Sequence, residues 1–139
     1  MAIQTTLPSE SKSYLKTAAA IAYGHAVVSD GSGSSGRLVT KQATTAGTLP
    51  IVGVCASAAP ATSASADSAV AVHEANKSGR VEAGAGAALA LDAQVTYNAA
   101  GRFITATTGT HVSGYARSTA GADGAYFSLQ LSSPGVIAP

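Results

Sequence analysis

Val95-Thr96-Tyr97-Asn98-Ala99-Ala100-Gly101-Arg102-Phe103-Ile104 reads as a strand, a polar turn closed by glycine, and a second strand. The same grammar appears twice more. Gly36-Arg37-Leu38 follows Asp30-Gly31-Ser32-Gly33-Ser34-Ser35, and Gly79-Arg80-Val81 follows Asn76-Lys77-Ser78. Glycine reaches positive φ without a steric cost, so it closes a tight turn and lets a new strand start. Working outward, strand-like segments lie at Ala22–Ser29, Arg37–Lys41, Leu49–Ala56, Ser68–Ala75, Arg80–Ala83, Ala93–Asn98, Arg102–Thr107, His111–Arg117 and Ala125–Leu131. In the last, Phe127, Leu129 and Leu131 alternate with Tyr126, Ser128 and Gln130, and Val70 and Val72 alternate with Ala71 and His73. Short strands at regular spacing predict an all-β fold, a small barrel or sandwich. A helix has little room. Ala83–Leu91 is the best stretch for one, and its glycines cost roughly 1 kcal/mol each.

Composition sets the class. Charged residues are 11% of the 139-residue chain, and the net charge is +1. Leu, Ile, Val and Phe supply only about a fifth of the residues, a share often seen in disordered chains. Disorder usually also requires a high net charge, which is missing here. The expectation is a folded domain with a thin core of small side chains, for which oligomerisation or docking supplies further burial. A near-neutral surface gives phosphates no basic patch, which argues against a nucleic-acid partner. One cysteine, Cys55, cannot form an internal disulfide or a multi-cysteine metal site, and it reads as a small buried hydrophobe. Met1–Ser11 lacks the pattern of a secretion signal, and Leu15–Ala22 is too short to span a bilayer, so neither secretion nor a membrane partner is expected.

The organisation expected is an extended N-terminal arm at 1–17, a barrel-like domain at 18–133 and a tail at 134–139. The arm carries apolar anchors (Ile3, Leu7, Tyr14, Leu15) without a period of its own, and such arms order by lying on something else. Pro60–Ser65 is a low-complexity loop. A weak internal echo aligns Gly53-Val54-Cys55-Ala56-Ser57 with Gly114-Tyr115-Ala116-Arg117-Ser118, and Ala66-Asp67-Ser68-Ala69 with Ala122-Asp123-Gly124-Ala125. A repeat and a chance match in an alanine-rich chain both account for it.

Catalytic patterns are missing. Gly31-Ser32-Gly33-Ser34-Ser35-Gly36 matches the letters of a dinucleotide fingerprint, but that site needs a helix N-terminus and an acid about 20 residues on. A strand follows here, so the stretch reads as a hairpin loop. Asn76-Lys77-Ser78 reads as a turn rather than a glycosylation acceptor. His25, His73 and His111 fall on separate strands without ligand spacing, and the carboxylates are scattered, mostly at turns. A paired-carboxylate site would need two of them facing across a cleft. No enzyme and no cofactor are expected.

Four motifs follow one another along the chain: Tyr23-Gly24-His25-Ala26-Val27-Val28, then Pro50-Ile51-Val52-Gly53-Val54, then Val95 to Arg102, and a closing set of Gly114-Tyr115-Ala116, Ala120-Gly121-Ala122-Asp123-Gly124 and Leu129-Gln130-Leu131. Their order resembles the capsid cement, or head decoration, proteins of tailed bacteriophages. The resemblance implies a β-barrel-like structural protein, often trimeric, made in the host cytoplasm. It would sit on the outer capsid surface of the virion and clamp neighbouring major capsid protein subunits. On that reading Ile3, Leu7, Tyr14 and Leu15 would touch the shell or the next protomer, as extended arms do when they add to a neighbour's sheet. The alternative expectation is a receptor- or glycan-binding module of a phage fibre, with Tyr97, Tyr115 and Tyr126 clustered on an exposed tip.

Overall fold

The computed structural model describes residues 11–17, 19–34, 37–59, 69–75, 77, 79–132 and 136–139. Among them there is no helix, and every strand segment expected above carries a strand. The first five are β1 (Ser11–Lys16), β2 (Ala26–Ser34), β3 (Arg37–Gln42), β4 (Gly53–Cys55) and β5 (Ala69–Glu74). They form a closed barrel in the order β1-β3-β2-β4-β5. Closure comes from β1, which pairs antiparallel with β5 (Leu15 opposite Ala69) and parallel with β3 (Lys16 opposite Thr40). The next five are β6 (Arg80–Gly84), β7 (Gln94–Tyr97), β8 (Phe103–Thr105), β9 (Gly114–Ala116) and β10 (Tyr126–Leu131). They form a sheet in the order β6-β10-β9-β7-β8, and a parallel bridge from Ala85 to Phe103 brings its two edges together.

The two units have one pairing scheme. Val27 opposes Gly53 and Gln42 in the first, and Val95 opposes Gly114 and Thr105 in the second. Cys55 opposes Val72 as Ala116 opposes Leu129. The parallel Lys16–Thr40 pair has its counterpart in Ala85–Phe103. Even the connections match: Ile21 exchanges backbone bonds with Ala59 as Leu89 does with Ala120. The backbone N–H of Gly24 bonds Cys55 as that of Asp92 bonds Ala116. Gly24 and Asp92 both have positive φ, 77° and 64°, and Asp92 is the one non-glycine residue so found among the described residues. Aspartate tolerates this region better than most side chains do. The fold is therefore a duplicated five-stranded unit.

Steric need explains why the echo survives where it does. A Cβ on Gly53 would lie 2.0 Å from the His73 carbonyl oxygen, and one on Gly114 would lie 2.0 Å from that of Gln130. No other residue fits at either place. The Gly-Arg turns behave as expected where they are described: Gly79 and Gly101 have φ of 111° and 80°. At the second of these turns Asn98 Oδ1 accepts from the N–H groups of Ala100 (2.9 Å) and Arg102 (3.1 Å), which fixes the turn. Gly31–Ser34 belongs to the β2–β3 hairpin, with a register shift between Ser29 and Gly33.

Alternation divides β2 and β4 between two cores. Val27 and Cys55 point into the first barrel with Ile21, Val70 and Val72. Their neighbours Ala26, Val28 and Val54, with Ile51, lie on the outer face and join Tyr97, Phe103, Phe127 and Leu129 of the second unit in one cluster. Burying one Val or Ile is worth about 1.5–3 kcal/mol, so this junction is a main source of stability. Backbone bonds cross it from Ala26 N–H to Gly101 O (2.8 Å) and from Gly84 N–H to Gly24 O (3.0 Å).

Three expectations change. The arm at 1–17 is, from Ser11 on, a barrel strand, because β1 pairs with both β3 and β5 and so joins the two ends of the sheet. The tail at 134–139 is, from Val136 on, tied to the second unit: Val112 N–H bonds Val136 O at 2.8 Å, and Ala138 N–H bonds Thr110 O at 2.9 Å. Ala83–Leu91 is no helix; its first residues complete β6, and Ala85 and Leu89 make bridges. The loop at Pro60–Ser65 lies outside the described residues.

Candidate functional site

Two of the four contact residues expected in the arm, Ile3 and Leu7, lie outside the described residues. The other two are drawn inward. Leu15 is buried at 6% exposure. Tyr14 is half-buried, packs against the first core, and donates its hydroxyl to Glu74 Oε2. Burial, then the bond to Glu74 and its charge, push the Tyr14 phenol up to about 12. Lys12 adds a 3.8 Å ion pair to Glu74 Oε1. Lys16 is buried and donates to the carbonyls of Thr17 (3.0 Å) and Ala19 (3.3 Å). Thr40 donates to Leu15 O at 2.7 Å. The interior of the first barrel is thus polar at β1.

The junction between the units holds Tyr23, Tyr97, Tyr126 and His25. Tyr97 is 1% exposed. Its hydroxyl accepts from Leu49 N–H (3.0 Å) and donates to Leu49 O (2.5 Å), pinning the β3–β4 loop onto the second unit. Tyr23 packs against Tyr126 with the rings tilted by 55° and centroids 5.8 Å apart, and it donates to Glu82 Oε1 at 3.0 Å. His25 lies 3.1 Å from Ala100 O, and burial lowers its pKa against that bond, with the Arg102 charge adding to the lowering. The tyrosines expected to share an exposed tip do not. Tyr97 is internal, Tyr126 lies on Tyr23, and Tyr115 is half-buried beneath Arg117, 5.4 Å from its ring centre.

Cys55 is buried, donates to Ser57 O at 3.0 Å, and has its thiol pushed up by burial. Among the described residues no group of His, Cys, Asp and Glu is placed to share a metal ion. Thr96 in β7, Ser113 just before β9 and Ser132 just after β10 lie in neighbouring register, and their hydroxyls have no protein partner among the described residues. The register equates them with Val28, Val52 and Ala75 of the first unit. The exposed large apolar side chains include Leu38, Leu49, Leu91, Tyr126, Val136 and Ile137.

No protein-family model matches the chain, and no curated protein does. Among solved structures it is similar to the N-terminal base of the head fibre protein gp8.5 of bacteriophage phi29. The TM-score is 0.64 and the identity 16%, over 88% of this chain and 92% of that one. The shared property is the fold, over nearly the whole of both chains.

Proposed function

We propose that this chain is a structural protein of a bacteriophage head. It decorates and stabilises the capsid by bridging major capsid protein subunits, as a homotrimer on the outer shell. The observation that carries this reading is the end-to-end likeness to a head-fibre base. The motif order that resembles capsid cement proteins supports it. The role is non-enzymatic and needs no cofactor. Contact with the shell falls to the segment before β1, so the informative deletion spans residues 2–10 and leaves Ser11–Lys16 in place. The test is co-sedimentation with expanded shells. The full chain should bind, and the deletion variant should lose occupancy while keeping its unfolding midpoint. Equal occupancy of the two would sink the role of the arm, and no binding by the full chain would sink the function. The fibre-tip reading loses its main support, because Tyr97 is internal.

A further inference from the structure

Two backbone bonds tie the second unit to the residues on either side of His25. Gly24 O accepts from Gly84 N–H at 3.0 Å, and Ala26 N–H donates to Gly101 O at 2.8 Å. The imidazole sits at the same seam, with Nδ1 3.1 Å from Ala100 O. A carbonyl oxygen can only accept, so Nδ1 carries the proton of the neutral ring and Nε2 carries none. Glycines of the second unit make room for the ring. A Cβ on Gly101 would lie 3.4 Å from His25 Nδ1, and one on Gly84 would lie 3.8 Å from its Cδ2. Gln42 braces the same place, since its Nε2 donates to Ala100 O at 3.1 Å and its Oε1 accepts from Ala22 N–H at 2.9 Å.

The charges around this seam do not favour a second proton on the ring. The Asn98–Arg102 turn brings Arg102, whose guanidinium is held by Asp123 at 2.7 Å. From β6 comes Glu82, which accepts from Tyr23 at 3.0 Å, and from β10 comes Tyr126 against Tyr23. Both carboxylates are therefore engaged elsewhere, and the charge that bears on the imidazole is the positive one of Arg102. Among the described residues each strand pairs only within its own unit, so this edge of the junction can loosen without unpairing a strand.

We infer that His25 is a pH-sensitive latch between the two units: a second proton on its ring loosens the junction at Gly84 and Gly101 while each unit keeps its own strand pairing. Burial of the ring, with Arg102 beside it, lowers the pKa in the closed junction. The neutral ring's contribution to closure is thus present above about pH 6.5, the ordinary value, and is lost as pH falls through it towards the lowered one. The remaining contacts, Tyr97 on Leu49 and His111 N–H on Gly47 O, keep the units together as this edge opens. The latch is independent of the proposed function, because neither its argument nor its test involves a shell.

Amide hydrogen exchange of the full chain, followed by NMR at about pH 8 and about pH 5 and corrected for intrinsic rates, is the test. The reporters are the Ala26 and Gly84 N–H groups, whose bonds cross the seam. The controls are those of Ala75 and Leu89, bonded at 2.9 Å to Val52 O and Ala120 O within their own units. At the lower pH Ala26 and Gly84 should lose protection while Ala75 and Leu89 keep theirs. His25→Gln still offers a donor to Ala100 O but cannot be charged, so it should abolish the loss. His73 and His111 are unchanged in that variant and cannot account for a difference. Arg102→Gln gives a second reading: it should raise the titration midpoint of the His25 ring and shrink the loss. Undiminished protection of Ala26 and Gly84 at the lower pH overturns the inference. An equal loss at all four amides does so as well, because the whole fold would then be opening. So does a loss of the wild-type size in either variant.

Discussion

The two five-stranded units share one backbone plan and fill it differently. The second is packed by Phe103 and Phe127, edge to face with centroids 6.1 Å apart, together with Tyr97 and Leu129. The first puts Thr40 where the second has Phe103, and Glu74 where the second has Leu131. Thr40 is satisfied by Leu15 O, and Glu74 by Tyr14 and Lys12. Hydrogen bonds therefore close the first barrel where apolar volume closes the second. A strand scheme fixes which positions face each other, but not the chemistry that fills the gap between them.

The largest effect expected from that contrast is at Phe103. Phe103→Ala should cost about 4 kcal/mol through lost burial and the cavity left behind, against about 1 kcal/mol for Thr40→Ala at the matching position. Urea midpoints measure both, and equal costs would break the comparison. Next come the paired glycines. Gly53→Ala and Gly114→Ala each force a Cβ onto backbone and should each cost about 3 kcal/mol. A tolerated substitution at one alone would show that the units do not share the constraint.

These glycines also explain how much of the repeat was legible. Gly53 and Gly114 stand out in sequence because nothing larger fits. Asp92 hid its kinship with Gly24, since two different residues meet one positive-φ demand. The second part of the echo slipped by a residue. Ala69 opposes Leu15 as Tyr126 opposes Gly84, so Ala69 matches Tyr126 and not Ala125. An Ala/Ser/Asp turn gives no register of its own. β1 was unreadable as a strand because its buried residues, Leu15 and Lys16, are adjacent, and one of them is charged. The strands from β2 to β10 were legible through alternation and glycine turns. The surface at Leu38 and Leu91 was not, because exposure is a property of the assembled units.

Gly24→Ala should cost about 1–2 kcal/mol, from its positive φ and a Cβ contact 3.1 Å from Gly84 N. Asp92→Gly, the reverse exchange at the matching place, should stay within about 0.5 kcal/mol, because glycine suits the conformation and the Arg117 ion pair it removes is exposed. Thermal midpoints of the two variants sharpen the equivalence. The smallest effect is at Tyr14, which has no phenolic counterpart in β6. Its pKa is raised in the folded state, so the neutral phenol's contribution is intact below about pH 10 and lost as pH climbs towards 12. Stability should fall across that window, and Tyr14→Phe should flatten the slope. An identical slope in the variant would put the loss elsewhere.

Among the described residues every strand pair lies within one unit, and the last strand of the first barrel ends at Glu74. Synthesis runs from the N-terminus at roughly 5–20 residues per second, so the first barrel can close while the second is still inside the ribosome. During those seconds Ala26, Val28, Ile51 and Val54 face water. The nascent chain is therefore most prone to aggregate, and to engage a chaperone, between the closing of one barrel and the arrival of the turn at Gly101.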